Sequence, residues 1–282
     1  MSAFAEARDV ESVQQLALGI EAIDAAREQP LLTPIMLTFD DLPLGNQRPQ
    51  FQRHPSNRHV LMYDAHYAAQ PRNVDLRIFD QHERLYSPDA DRRRFVPRRL
   101  RIALPSLPTA LARTPESRLC RPFVWPGPAY PIGHVATGLR AHAMRAATAT
   151  LPLRPARWVR VLATVPATQP VLALSTVVGQ ACGDDRGEFL LLVRFHVAAI
   201  GIEPTLSVRI RVFAAPEGVP ATPDLPSIDP LWDLPLEQPA SLADTDPVLR
   251  ADAMPAGHVE VAQRVVALPL GHVLRGQPNL ML

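Results

Sequence analysis

Residues 179–197 read GQACGDDRGEFLLLVRFHV and contain the clearest structural signal in the chain. Within it, residues 183–187 (GDDRG) place two Asp side chains between glycines, which is typical of a short hairpin turn. After the turn, apolar side chains recur with the period of two that indicates a strand: Phe189, Leu191, Val193 and Phe195. The stretch therefore predicts a β-hairpin with a solvent-exposed tip.

Composition limits the possible classes of protein. The chain has 282 residues, a formal net charge of +1 and only two cysteines. The small charge predicts neither nucleic-acid binding nor attraction to anionic lipid. No apolar run reaches the ~20 residues of a membrane span, and the N-terminus lacks the basic and apolar regions of a secretory signal. We therefore expect a cytoplasmic protein without a disulfide scaffold.

The pattern along the chain predicts a mostly β fold. The 31 prolines, about twice the usual ~5% share, favour short strands joined by stiff loops. Five alternating segments without helical periods favour an Ig- or transthyretin-like antiparallel β-sandwich. The predicted regions are a helix at 1–29, a small β region at 30–104, a proline-rich connector at 105–131, the sandwich at 132–214, and a proline-rich C-terminal arm with a final strand at 215–282.

The N-terminal helix is predicted from a stripe of apolar residues. Val10, Val13, Leu16, Ile20 and Ile23 recur at three- and four-residue steps, and Pro30 would end the element. Such an amphipathic helix packs on its own domain or docks on a neighbouring subunit. Val13 and Ile20 are therefore candidate subunit contacts, as is Trp232 in the C-terminal arm.

The strongest charge feature is a run of arginines between positions 92 and 101. It could bind phosphate or an acidic partner, but several of its members alternate with apolar residues as a solvated strand face would. Nearby acidic residues balance the charge, and no aromatic residues interleave with it as in single-strand binders. We interpret the run as a structural or subunit-contact surface, with these candidate residues: Arg93, Arg94, Arg98, Arg99 and Arg101.

The histidines, the cysteine, the turn carboxylates and the tryptophans form no convincing catalytic or metal site. His54, His59 and His66 lack metal-ligand spacing. Cys182 falls in a predicted strand, where a buried and inert thiol is expected. The carboxylates of the 183–188 turn are expected to be exposed to solvent. The three tryptophans are expected to cover the core or sheet edges, and this is favoured over the lining of a sugar groove. We predict no catalytic residue, no metal and no cofactor.

Part of the chain resembles a known domain family. Gly138, the strand at 158–161 (WVRV) and the hairpin at 185–189 (DRGEF) are similar to those of carboxypeptidase regulatory-like domains, which have a transthyretin-like, Ig-type fold. The similarity covers about residues 132–214. Asp184 stands where the family usually has Thr. The resemblance implies a domain without catalytic residues that braces a protein or mediates its contacts.

A wider pattern points to an assembly. The segments at 74–80 (VDLRIFD), 93–105 (RRFVPRRLRIALP), 183–193, 229–237 (DPLWDLPLE) and 246–250 (DPVLR) resemble bacterial proteins associated with phage-tail-like contractile injection particles. This resemblance implies a subunit that assembles in the cytoplasm at a cap, baseplate or adaptor position.

The sequence therefore favours a non-enzymatic structural subunit of such a particle, with other subunits and further copies of itself as partners. Stiff proline-rich arms suit docking, because they lose little conformational entropy on binding. Deletion of residues 1–29 or 215–257 is then expected to impair assembly more than folding. The alternative is an accessory β-sandwich module that binds carbohydrate or peptide through its loops or a strand edge.

Overall fold

The computed structural model describes residues 15–40, 51–63, 70–80, 93–133, 135–149, 151–194 and 204–282. Its short helices are α1 (Leu107–Leu111) and α2 (Leu225–Ile228), and no helix in these ranges could cross a membrane. The strands are β1 (Leu16–Ile20), β2 (Ile23–Asp24), β3 (Gln29–Pro30), β4 (Ile35–Phe39), β5 (Gln52–Arg53), β6 (His59–Met62), β7 (Arg72–Asp80), β8 (Arg98–Leu104), β9 (Leu119–Cys120), β10 (Phe123–Val124), β11 (Gly138–Arg145), β12 (Arg154–Pro155), β13 (Arg160–Thr164), β14 (Val177–Cys182), β15 (Glu188–Val193), β16 (Thr205–Ala214), β17 (Leu236–Glu237), β18 (Val259–Pro269), β19 (Val273–Leu274) and β20 (Leu280–Met281).

The prediction of a mostly β protein is confirmed, because strands in several sheets make up the architecture. The large sheet has the order β12-β11-β15-β14-β13-β16-β18, and β19 and β20 pair with β11 at its far side. The strands of region 132–214 thus lie side by side in one sheet, and strands from beyond residue 214 complete it. A domain boundary at 214 would cut this sheet.

One face of the large sheet encloses an apolar interior. Leu139 of β11, Phe189 of β15 and Ile210 of β16 belong to the same buried cluster as Leu268 of β18, although β11 and β18 lie far apart in the strand order. β19 and β20 contact β18 and pair with β11. The sheet therefore curls towards a barrel, so that inward-facing residues of its successive strands meet.

The hairpin predicted within residues 179–197 is present between β14 and β15, and residues 195–197 of that prediction lie outside the described ranges. The Asp184 carboxylate accepts hydrogen bonds from the backbone N–H groups of Arg186 and Glu188, each at 2.9 Å. Gly187 has a φ of +71°, and a Cβ there would lie 2.2 Å from the Ala143 carbonyl oxygen. The expectation of an exposed tip is wrong at Asp184, which is fully buried because other parts of the chain cover the turn.

The N-terminal half forms three smaller sheets with the orders β17-β8-β7-β4, β5-β6-β1-β9 and β10-β2-β3. Their apolar residues form a second core that includes Leu18, Leu76 and Leu100. Leu190, on the outer face of β15, is buried in the same core. The two faces of β15 therefore contribute to two different cores and hold the halves of the chain together.

The predicted N-terminal helix is wrong wherever the structure describes that segment. Residues 16–20 form β1, a strand between β6 and β9, and every side chain from Ala17 to Ile20 is buried. Burial on both faces removes the alternation that identifies a strand, so the apolar spacing imitates a helix. Ile20 is a core residue and cannot be a subunit contact. Residues 1–14, which include Val13, lie outside the described ranges.

The C-terminal segment is packed into the molecule and is not a free arm. β17 pairs in parallel with β8, and Leu231 and Leu249 are each 1% exposed or less. β18 then forms eleven residues of the large sheet. Deletion of 215–257 would therefore remove Leu231 and Leu249 from the core, and loss of folding is expected where a larger effect on assembly than on folding was predicted.

Glu237 of β17 lies at the centre of this packing. Its carboxylate accepts hydrogen bonds from Arg98 Nη2 of β8 at 2.9 Å and from Arg160 Nη2 of β13 at 2.9 Å. All three residues are at most 7% exposed. Burial alone would raise the pKa of Glu237, but the charges of Arg160 and Arg98 outweigh it and lower the pKa. The carboxylate is therefore ionised and bridges two guanidinium groups from different sheets.

Replacement of Glu237 should strongly destabilise the fold. Glu237→Ala leaves Arg98 and Arg160 buried without their shared counter-charge, and removal of one partner of a buried ion pair costs about 3–5 kcal/mol. Urea unfolding would measure the loss. Asp252→Ala is the matched control, since its exposed pair with Arg250 should contribute at most about 1 kcal/mol. Equal losses in the two variants would contradict the bridging role.

Candidate functional site

A cleft of about 230 Å³ lies at one end of the large sheet. Its walls include residues at or next to strand termini: Arg145 at the end of β11, Ala215 after β16 and His258 before β18. The segment 216–235 closes the other side. The mouths of curled or closed sheets are common ligand sites, because several connecting loops converge there. This cleft is the candidate functional site.

Trp158 forms one wall in a strained backbone conformation. Its φ is +57°, a region that bulky side chains rarely adopt. Four contacts hold it there. Its indole N–H donates to Asp233 Oδ1 at 2.8 Å, its carbonyl lies 3.2 Å from His258 Nε2, its backbone N–H donates to the Asp184 carbonyl, and the Arg157 guanidinium lies 5.4 Å from the ring centroid. Such strain at a cleft is a feature of functional sites.

Trp232 also lines the cleft and is partly exposed. A Cβ at position 218 would lie 3.2 Å from the ring, so Gly218 allows the backbone to approach the indole. The turn before Trp232 is fixed by Asp229, whose carboxylate pairs with Arg77 at 2.7 Å and accepts the Leu231 N–H at 3.1 Å. The sequence predicted Trp232 as a subunit contact; the structure places it in the wall of the cleft, and for this residue subunit contact stays a prediction.

The charged groups that line the cleft have partners elsewhere in the chain or in the cleft. Arg157 donates to Asp233 at 2.6 Å, and Glu217 is bound by Arg154 Nε at 2.8 Å. Arg145 donates to the Ala215 carbonyl at 2.6 Å. These partners come from distant parts of the chain, which is why the spacing of the residues in sequence did not indicate the site. The cleft is therefore polar without a strong net charge.

Two members of the predicted arginine surface are buried ion-pair residues. Arg93 is 5% exposed and binds the carboxylates of Asp184, at 3.1 Å, and of Asp185. Arg98 is 2% exposed and binds Glu237. The prediction of subunit contacts is wrong for both, because acidic partners 91 and 139 positions away in sequence cover them.

The other arginines of the run lie nearer the surface. Arg99 pairs with Asp40, and Arg101 binds Asp75 at 2.6 Å while its side chain stays 38% exposed. Arg94 is exposed, and its backbone N–H donates to the Asp80 carboxylate. These three could still meet another chain, and for them subunit contact stays a prediction.

The remaining sequence candidates are dispersed. His54 is exposed and His59 is buried, while His66 lies outside the described residues, and no group of ligands for a metal ion occurs in the part of the chain that the structure describes. Cys182 is buried, and burial raises the pKa of its thiol to about 11. Of the three tryptophans, Trp158 and Trp232 share the cleft, whereas Trp125 packs in the core beside Trp158.

A second exposed feature is β18. It pairs with β16 along one edge, and among the described strands none pairs with its other edge. Val259, Val261 and Val265 are 59%, 40% and 52% exposed. A long apolar edge strand is a ready template for another strand.

The burial of His258 leads us to expect that the stability of the fold depends on pH. Burial lowers the pKa of His258 and also that of His59, so both are neutral in the folded chain. As pH falls through about 6.5, the unfolded chain binds protons that the folded chain does not, and the free energy of unfolding decreases. Carboxylates with lowered pKa, such as Glu217, add their own loss only at more acidic pH.

Urea unfolding at pH 7.5 and at pH 5.5 tests this expectation. The wild-type chain should be less stable at pH 5.5, and His258→Gln should reduce the difference. His54→Gln, at an exposed position, is the matched control and should leave the difference unchanged. A wild-type chain that is more stable at pH 5.5 would show that the sign is wrong.

No protein-family model matches the chain, and neither a curated protein nor a solved structure does so. The resemblances seen in the sequence therefore stay predictions. The functional argument depends on the cleft and on β18.

Proposed function

We propose that this protein is a non-enzymatic structural subunit of a phage-tail-like contractile injection particle and that it works through contacts with other subunits. The sequence segments that resemble such proteins support this role. Assembly in the cytoplasm, with further copies of the same chain among the partners, belongs to the same proposal. A cap, baseplate or adaptor position would each be compatible with it.

The single observation that carries the proposal is that one edge of β18 pairs with no described strand, although β19 and β20 contact the strand. The strand has eleven residues, and most of its side chains are exposed although it belongs to the main sheet. An edge of this length could pair with a strand of a neighbouring subunit, which would extend the sheet between chains. Backbone hydrogen bonds would then provide affinity, and the exposed valines would provide apolar contact.

The finer description of region 132–214 as a carboxypeptidase regulatory-like, transthyretin-like sandwich is part of the proposal. The hairpin supports it, since Asp184 caps the turn and Gly187 supplies the positive φ at the place where the family has its hairpin motif. In that family the domain braces or connects other parts, which agrees with a contact function.

A second candidate function is an accessory module that binds carbohydrate or peptide. One observation favours it, namely that Trp158 and Trp232 face the same cleft although 74 positions separate them in sequence, from 158 to 232. Binding of a carbohydrate or peptide would take place in the cleft at the end of the large sheet, whereas the subunit contact would be made by β18 at its edge.

The edge of β18 can be tested with a charged substitution. Val265→Lys places an ammonium group on the exposed strand, and lysine on an edge opposes pairing with another strand. We expect at least about a tenfold weaker self-association, which corresponds to ~1.4 kcal/mol, measured by sedimentation velocity. Entry of the variant into particles should decrease in parallel.

Val135→Lys is the matched control, since Val135 is 86% exposed and lies in a loop. It should associate like the wild-type chain. Unchanged association of Val265→Lys, with both variants folded, would contradict the role of β18.

A further inference from the structure

We propose that the cleft lined by Trp158 and Trp232 binds a neutral carbohydrate and accommodates one pyranose ring. This inference depends on the second candidate function and is independent of the subunit role. The argument combines the aromatic walls, the paired charges, the size of the cleft and its rigid geometry.

The aromatic walls suit the apolar face of a sugar ring. Trp232 is partly exposed towards the cleft, and the backbone at Gly218 supports its ring. Trp158 is 6% exposed, so it contributes a fixed wall more than an open surface. An indole has an electron-rich face, and the C–H groups of a pyranose carry partial positive charge, so the two stack favourably.

The polar groups suit hydroxyl groups. Asp233 Oδ1 accepts from Trp158 and Arg157, and its Oδ2 has no hydrogen bond within the described chain. Glu217 is half exposed beside it and offers further acceptor positions. A carboxylate can accept from a hydroxyl, and a guanidinium can donate to one, so a polyhydroxylated ring can satisfy both.

The charge balance favours a neutral ligand. Arg157 is already neutralised by Asp233, and Glu217 pairs with Arg154 and also interacts with the charge of Arg145, which donates to the Ala215 carbonyl. An ionic ligand would have to compete with these pairs, whereas a neutral one leaves them intact. A proline-rich peptide fits less well, because proline has no backbone N–H to donate to the carboxylates.

Size and rigidity agree with a small ligand. The cleft of about 230 Å³ lies below the ~300–1,000 Å³ of sites for drug-sized molecules. One ring of an oligosaccharide can therefore enter while the next stays outside. The four contacts that hold Trp158 at positive φ keep this wall in place before binding, which lowers the entropy cost of binding.

Titration of the full chain with maltotriose, cellotriose and N,N′,N″-triacetylchitotriose tests the proposal by calorimetry and by tryptophan fluorescence. We expect at least one of these sugars to bind and to change the fluorescence. Trp232→Ala should weaken that binding at least tenfold, and Trp232→Phe should retain part of it because it keeps an aromatic face. Asp233→Asn should also weaken binding, since it removes the strong acceptor.

Asp252→Asn is the matched control, because Asp252 lies outside the cleft in an exposed pair with Arg250, and it should bind like the wild-type chain. Near-ultraviolet circular dichroism would verify that Trp232→Phe is folded. The proposal is overturned if none of the three sugars binds, if Trp232→Ala binds as well as the wild-type chain, or if decaproline competes for the site. Sedimentation of the same preparations reports on the subunit role separately.

Discussion

The carboxylate of Glu237 lies between two buried guanidinium groups, and the rest of the architecture depends on this contact. Arg98 comes from a sheet of the N-terminal half and Arg160 from the large curled sheet, so a single side chain of the C-terminal segment joins both. Arg98 also donates to the carbonyls of Val248 and Leu249, which fixes the segment after β17. A buried arginine requires such partners, because an unpaired charge in an apolar interior is very unfavourable.

The contact of Glu237 with Arg98 and Arg160 also determines where the candidate site forms. The segment that carries Glu237 also carries Trp232 and Asp233, a few residues earlier, and brings them over the end of the large sheet. Asp233 then meets Trp158 and Arg157, which belong to the turn before β13. Strands thus provide a rigid base, and a loop held by a buried ion pair completes the cleft. The free edge of β18 lies on the same sheet, so one scaffold could present both a ligand site and a subunit contact.

The arginine run shows why charge patterns in sequence are ambiguous. Arg99 and Arg101 alternate with Leu100 and Ile102, as on a solvated strand face, yet Arg93 and Arg98 of the same run are buried. Their partners, Asp184 and Glu237, lie far away in the chain, and only the fold brings them close. Similarly, Ala17 to Ile20 form a strand buried on both faces, and a strand of that kind lacks the period of two from which it could be identified.

The features of this protein that depend on local interactions were determined by its sequence alone. The hairpin at 183–188 follows from the Asp184 side chain, which caps the backbone of its own turn, and from Gly187 at positive φ. The mostly β class follows from short alternating segments between prolines. The burial of Glu237 between two arginines, the strand at the N-terminus and the meeting of Trp158 with Trp232 were decided by tertiary structure alone. Each of these features depends on residues that are distant in sequence and become neighbours only when the sheets pack together. The spacing of residues along the chain does not show which of them will meet.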